Sequence, residues 1–319
     1  MRRYLVTRLL LAIPTIFAIT IIVFLAMRVL PGDPLVVMFG FEGFGRLSDE
    51  DRARINEQLG LSDPMYVQYA DWIGDVFTLK LGESFFKAEP VMDKIIRHGP
   101  LTFEIAIFSI ILAWLVGVPV GALSALMRNT KVDYAARILT ILFLAIPPFW
   151  IGLLLVLVLL LLFEWKAPIQ VVNFWDNPRE NLEIVWGPVL VLGLAQAAYI
   201  TRLARSSFLE VMYEDYIRTA RAKGLKEGIV MIRHTLPNAI LPVVTLSGVL
   251  FAFALGGSVV IESVFGVRGL GSVLITGIHD RDHIVIQNLV LMYGLIVVAI
   301  NLFLDLAYAW LDPRIRYGS

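Results

Sequence analysis

Long apolar runs separated by polar stretches set the pattern of this chain. Six runs come near the ~20 residues that a helix needs to cross the hydrocarbon core of a bilayer. They are Leu9–Leu30, Leu101–Met127, Ile138–Phe163, Ile184–Thr201, Asn238–Ile261 and Asn288–Leu311. The fourth is short and carries Gly187, Pro188, Gly193 and Gln196. The pattern predicts an all-α polytopic membrane protein with six transmembrane helices. The first run follows Met1-Arg2-Arg3 and precedes Pro31-Gly32-Asp33-Pro34. A signal peptide has an apolar core of only ~7–15 residues, so this run is read as a retained first span.

The stretch 31–100 is too polar to span. Ser48-Asp49-Glu50-Asp51 has the form of a capping box, with a hydroxyl at N-cap and an acid three residues on. It predicts a helix to Gln58, ended by Gly60. Ser62-Asp63-Pro64 marks a second N-terminus with proline near the first turn. Val91 to Arg97 mixes Val91, Ile95 and Ile96 with Asp93, Lys94 and Arg97. That suits either a short helix lying in the membrane interface or part of an ordinary extracellular mini-domain.

Composition agrees with the pattern: 58% of the 319 residues are hydrophobic and only 17% are charged, where soluble domains carry about a quarter charged. With no cysteine in the chain, disulfides, thiolate nucleophiles and Cys-ligated metals drop out. A formal net charge of zero points to no polyanionic partner, so nucleic acid is not expected. The placement of Lys and Arg orients the spans. Segments 1–8, 128–137, 202–237 and 312–319 hold 3, 3, 7 and 2 basic residues in 62 positions. Segments 31–100, 164–184 and 262–287 hold 7, 2 and 2 in 117. Both termini are therefore expected in the cytoplasm.

Motifs exclude more than they include. The chain has no G-x-x-x-x-G-K-[ST], no G-x-S-x-G and no H-E-x-x-H, so neither P-loop ATP hydrolysis nor these hydrolytic sites are expected. His279-Asp280-Arg281-Asp282-His283 is read as a solvated loop rather than a metal cluster, because Arg281 interrupts loosely spaced ligands. Ionisable residues in the spans are few. Glu104 and Asp305 lie near span ends, and their scarcity argues against an ion-coupled transporter with midplane carboxylates. Gln196, Asn288 and Asn301 are read as hydrogen bonders between helices. Gly117-Val118-Pro119-Val120-Gly121, Pro147-Pro148 and Gly256-Gly257 allow close helix contact and bent helices around a cavity.

The segment Arg202 to Pro237 is the most informative. Leu209, Met212, Tyr216 and Ala220 recur at spacings of three and four, which predicts one helical face. Gly224 follows where a glycine would end that helix in a left-handed conformation. Ile229, Ile232 and Leu236 predict a second short helix that stops before Pro237. Arg218, Arg221, Lys223 and Lys226 supply a basic rim. The apolar stripe needs a cover: lipid, the chain's own helix ends, or a cytosolic partner.

Tyr216-Ile217-Arg218-Thr219-Ala220-Arg221-Ala222-Lys223-Gly224-Leu225, followed by Arg233-His234-Thr235-Leu236-Pro237-Asn238-Ala239, resembles the EAA loop of ABC importer permeases, in the branch that moves dipeptides and oligopeptides. Leu30-Pro31-Gly32-Asp33-Pro34, Leu59-Gly60-Leu61, Tyr66-Val67-Gln68-Tyr69, Leu81-Gly82-Glu83-Ser84-Phe85, Ile146-Pro147-Pro148-Phe149-Trp150 and Leu311-Asp312-Pro313-Arg314-Ile315-Arg316-Tyr317 extend the resemblance over nearly the whole chain. Aligned on Gly224, the E-A-A positions hold Arg218, Thr219 and Ala220, and His234 precedes Leu236-Pro237. The segment Glu164–Glu183, with Trp165, Trp175 and Asp176, departs from the shorter link of the family.

The resemblance implies a type I ABC importer-like permease of the first permease subunit type. It implies an N-terminal segment with the first span (1–30), an extracytoplasmic region (31–100), and a core (101–319) bearing the EAA-type loop 202–237. It also implies a second homologous permease, two ABC ATPase subunits, an extracellular solute-binding protein, surrounding membrane lipid and no cofactor. Tyr216, Arg218, Thr219, Ala220, Gly224, His234, Leu236 and Pro237 are the expected coupling residues toward an ATPase. The implied solute is a peptide; oligosaccharide, nickel chelate and glutathione are alternatives for the same machine. An ion-coupled secondary transporter and a membrane enzyme are the readings from other classes.

Overall fold

The computed structural model describes residues 2–29, 34–58, 61–84, 89–166, 168 and 170–311. Helices account for the main elements: α1 Arg2–Val29, α2 Pro34–Arg46, α3 Asp49–Gln58, α4 Met65–Phe77, α5 Val91–Leu126, α6 Lys131–Ala145, α7 Pro148–Phe163, α8 Pro178–Met212, α9 Asp215–Ala222, α10 Glu227–Ile229, α11 Leu236–Ala239, α12 Leu241–Phe265, α13 Leu270–Asp280 and α14 His283–Leu311. Among the described residues, α1, α5, α8, α12 and α14 are long and apolar enough to cross a membrane. A sixth crossing is made if α6 and α7, bent by 96° at Ile146-Pro147, form one span. Pro147 and Pro148 lack the N–H groups that would continue the α6 ladder, so the third expected run becomes two helices. The chain is thus an all-α multi-pass membrane protein.

Two compact units divide it: Leu101–Arg268 with Phe303–Ser319, and Arg2–Pro100 with Gly269–Leu302. In the first, α8 is the most enclosed helix. Ile184, Val185, Ile200, Ala204 and Phe208 are all buried. Gly117 and Gly121 let α5 approach α8 closely. A Cβ at Gly117 would sit 2.7 Å from Ile200 Cγ2, and one at Gly121 2.7 Å from Ala204 Cβ. The G-x-x-x-G therefore reports packing. The α5–α6 turn is fastened to α8 by ions. Asp133, fully buried, accepts from Arg205 Nε at 2.8 Å and Nη2 at 2.9 Å, from Ser124 Oγ at 2.6 Å, and from the Asn129 N–H at 3.0 Å. Sequence reasoning did not single out Asp133 or Arg205. Glu104 is structural: it accepts from Asn181 Nδ2 at 2.5 Å and from the Phe174 N–H. Glu262 is buried and accepts from Thr102 Oγ1 at 2.7 Å.

In the second unit, the Ser48 capping arrangement is present. The Asp51 N–H donates to Ser48 Oγ at 3.1 Å, and that hydroxyl donates to Asp51 Oδ2 at 2.6 Å. Pro64 caps α4 as its preceding residue. Helix α2 was not foreseen. The stretch 91–100 is not a separate short helix. It is the start of α5, because Val91 buries fully against Leu270, Val285 and Leu289. The segment 279–283 is not a solvated loop: α13 runs to Asp280, and buried Asp282 accepts from Ser84 Oγ at 2.5 Å and from the Val285 N–H at 3.3 Å. Among the described residues, no group of three or more His, Asp or Glu side chains is placed to hold a metal ion. Asn288 Nδ2 donates to the Leu81 carbonyl at 2.8 Å, so it ties α14 to a loop and not to another helix as expected. Leu30 to Asp33, Leu59-Gly60, Phe85, the tail from Asp312 and the side chain of Asp305 lie outside the described residues.

Candidate functional site

The element that follows α8 is built by one break in register. Tyr213 caps α8, the Glu214 N–H bonds to the Val211 carbonyl at 3.1 Å, and Glu214 turns extended before α9 begins. Asp215 then stands in the first turn of α9, where the helix dipole favours an acid. The expected single face from Leu209 to Ala220 is therefore split. Leu209 and Met212 pack on the cluster containing Ala204, Phe208 and Met231. On α9 the inward residues are Ile217, fully buried, and Ala220, 6% exposed, against Val230 and Val211. The chain's own helices cover most of the stripe. Ile217 is the anchor that sequence reasoning missed. Its signal was the Glu214-Asp215 pair, which marks a new helix start and resets the count.

Opposite this anchor the surface is open. Tyr216, Arg218, Thr219, Lys223, Leu225, Lys226 and Ile229 are exposed, and Ile232 is 70% exposed. Of the expected coupling residues, Tyr216, Arg218, Thr219, Gly224 and Pro237 are exposed, His234 and Leu236 are half-buried, and Ala220 faces inward. Gly224 has φ +77°, the left-handed angle expected from its place after α9. Its N–H reaches the Arg221 carbonyl at 2.9 Å. A Cβ built there would meet nothing within 4 Å, so glycine is needed for the angle and not for space.

Arg221 locks the turn. Its Nη2 and Nε donate to the Glu227 carboxylate at 2.7 and 3.2 Å, and its Nη1 reaches the Met212 carbonyl at 3.3 Å. One guanidinium thus joins the ends of α8, α9 and α10. The paired Arg221 holds the Glu227 carboxyl below the usual glutamate range. The outer pair Arg218–Asp215, at 3.4 Å and largely solvated, contributes little.

The second helix does not stop before Pro237. Val230–Thr235 forms a wide π-type turn, and α11 carries Pro237 within its first turn. The Leu236 N–H bonds five residues back, to Met231. This wider register relieves the clash a proline ring makes with the preceding turn. Asn238 Nδ2 donates to Tyr216 OH at 2.8 Å, which joins α11 to α9. The whole unit is a short helix, a glycine turn and a wide helical turn, set between the two long helices α8 and α12.

Residues 117–317 match the family described as binding-protein-dependent transport system inner membrane component, and residues 1–106 match its N-terminal companion. The chain is 38% identical to the oligopeptide transport system permease protein AppB of Bacillus subtilis over 320 residues, 99% of this chain and 100% of the relative. It is 37% identical to the glutathione transport system permease protein GsiC of Escherichia coli K12 over 317 residues, 99% and 100% of the two chains. A solved chain of the inward-facing MetNI methionine ABC transporter superposes with a TM-score of 0.57 at 18% identity, covering 69% of this chain and 97% of that one. At that identity the likeness concerns the fold.

Proposed function

Because this chain belongs to the family of binding-protein-dependent transport system inner membrane components, we propose that it is the permease subunit of an ATP-driven importer of peptides. The observation that carries the reading is the element from Asp215 to Ala239. It projects between α8 and α12 with its apolar anchor turned inward, and Tyr216, Leu225, Ile229 and Ile232 with a basic rim turned outward. A surface of that chemistry fits a groove on an ATPase subunit. The chain has no phosphate-binding loop of its own, so hydrolysis belongs to separate subunits. Closure of two ATPases on ATP then moves a pair of permeases between outward and inward states as rigid bodies.

This geometry supports the following roles for the coupling residues. Tyr216, Arg218, Thr219 and Gly224 meet the ATPase directly. Ala220, His234, Leu236 and Pro237 position the element. The partners are a second homologous permease, two ATPases and a solute-binding protein on the outer side. Both termini and the Gly224 element face the cytoplasm of the cell (inner) membrane, and residues 31–100 form the extracytoplasmic region ahead of the core 101–319. The AppB and GsiC relatives favour a peptide solute; glutathione, itself a tripeptide, is the second candidate within that class.

ATPase activity tests the assignment. The purified chain should hydrolyse no ATP. Assembly with the second permease and nucleotide-binding subunits should give activity that a loaded binding protein raises. Robust hydrolysis by the chain alone would overturn it.

A further inference from the structure

One side-chain pair fastens the docking helix α9 to the chain that leads into α12. Asn238, in the short helix α11, donates from Nδ2 to Tyr216 OH on α9 at 2.8 Å. The same nitrogen reaches the His234 carbonyl at 3.4 Å. Only the NH₂ of the amide can donate to a carbonyl, so this second bond fixes which way the amide is turned. The phenol oxygen is therefore the acceptor in the first bond, and among the described residues it makes no other hydrogen bond.

The π-type turn Val230–Thr235 brings Asn238 to this place. Such a turn holds one residue more than an α-helical turn, and one residue corresponds to about 100° of rotation. Buried Thr235 steadies the turn by donating from Oγ1 to the Val230 carbonyl at 3.2 Å. In plain α register Asn238 would be rotated away from α9. The ring of Tyr216 is 43% exposed and belongs to the same outer surface as Leu225, Ile229 and Ile232. A tyrosine is an effective interface anchor because its ring is apolar, but its hydroxyl needs a partner once it is buried. Water serves while the element is free. In a groove that excludes water, a partner must come from protein.

We propose that Asn238 is a positioning residue for ATPase docking: it supplies the hydrogen bond that lets the Tyr216 hydroxyl be buried against the ATPase, and so sets the place of that ring. While the element is solvated, losing the bond has little effect, because water replaces either partner. Once the groove closes over the pair, removing Asn238 alone strands a buried hydroxyl. Removing both polar groups strands nothing, so the two losses cancel instead of adding. The proposal rests on the ATPase-coupling reading above.

The test places this chain and its second permease in lipid nanodiscs with saturating loaded binding protein. The nucleotide-binding subunits are titrated to find the concentration that half-saturates stimulated ATP hydrolysis. Asn238→Leu, Tyr216→Phe and the double variant are compared with wild type; both substitutions keep comparable volume. Asn238→Leu should need about tenfold more ATPase, the scale of one stranded polar group, while the thermal midpoint of the free permease pair stays at the wild-type value. Tyr216→Phe should need a smaller increase, because Asn238 keeps the His234 carbonyl. The double variant should recover most of the loss, so that adding Tyr216→Phe improves Asn238→Leu. An unchanged ATPase requirement in Asn238→Leu would overturn the proposal, as would a double variant no better than Asn238→Leu. A lower thermal midpoint in both single variants with an unchanged ATPase requirement would also overturn it, and would mark the pair as a packing bond within the chain. Gly224→Val separates the two levels of failure. If it abolishes stimulated hydrolysis while Asn238→Leu behaves as wild type, the proposal alone fails. If Gly224→Val behaves as wild type too, the coupling reading falls together with the proposal.

Discussion

Substitution of Gly224 isolates a backbone requirement from a contact requirement. The residue has φ +77° and a Cβ there meets no atom within 4 Å, so an added side chain costs conformational energy without a clash inside the chain. Forcing an ordinary L-residue into the left-handed region costs about 1–2 kcal/mol. That corresponds to roughly a 5–30-fold loss of the native turn relative to alternatives. A β-branched residue suffers most and Asn least. The order of damage should therefore be Gly224→Val, then Gly224→Ala, then Gly224→Asn, although Asn is larger than Ala. Ile217 and the Arg221–Glu227 pair hold α9 on both sides of the turn. The loss should thus be a swing of α10 against α9 and not unfolding. Membrane levels should stay near normal while co-purification of the ATPase, or its response to the binding protein, falls in the stated order. Peptide uptake should fall with it. If Asn proves as damaging as Val, a partner surface excludes any side chain there and the backbone argument is wrong. Full uptake with Gly224→Val would refute the coupling role of this turn.

Three further outcomes follow from the geometry. Gly121→Leu places its Cβ 2.7 Å from Ala204 Cβ; such overpacking costs about 1–3 kcal/mol, so the purified protein should unfold at lower temperature, whereas Gly256→Ala, with nothing within 4 Å, should not. Asp133→Asn leaves Arg205 facing a neutral group in the bond network of α5, α6 and α8, and should destabilise the detergent-solubilised protein by about 1–3 kcal/mol in the same thermal assay; an unchanged midpoint would show that solvent at the partly exposed Arg205 screens the pair. Because the chain has no cysteine, single introduced thiols can report topology: an impermeant reagent on intact cells should label Asp63→Cys but neither Lys226→Cys nor Arg314→Cys, and labelling of Arg314→Cys would reverse the orientation.

The spans were legible because crossing a bilayer demands long apolar runs, and that demand overrides finer detail. Four of the expected runs coincide with single helices longer than the runs themselves, such as α8, which begins at Pro178 and not at Ile184. The Pro147-Pro148 break was visible as an interruption, but its 96° bend is set by packing that no local pattern encodes. Gly224 was readable from its position because the left-handed region nearly selects for glycine. The face of α9 was not, because counting by three and four assumes an unbroken helix, and the extended Glu214 resets the phase. Passage of the helix through Pro237 was missed for a similar reason. The rule that a helix ends before proline assumes α geometry, and the π-type turn at Val230–Thr235 is a local solution to the clash. Asp133 with Arg205, and Asp282 with Ser84, were out of reach: each joins residues distant in sequence. Gln196 was noticed for its polarity, but only three-dimensional packing shows that its oxygen is buried without a hydrogen-bond partner among the described residues instead of bonded to a neighbouring helix.

The central claim is that this chain passes peptides on energy spent by other subunits. Its most direct measurement is uptake of a labelled peptide into proteoliposomes that contain this chain, its second permease and the ATPases, with binding protein and peptide on the outside and ATP enclosed. The account predicts uptake that needs both enclosed ATP and external binding protein, and that persists when ionophores abolish every ion gradient. Uptake that continues without ATP and stops when an ion gradient is collapsed would contradict it.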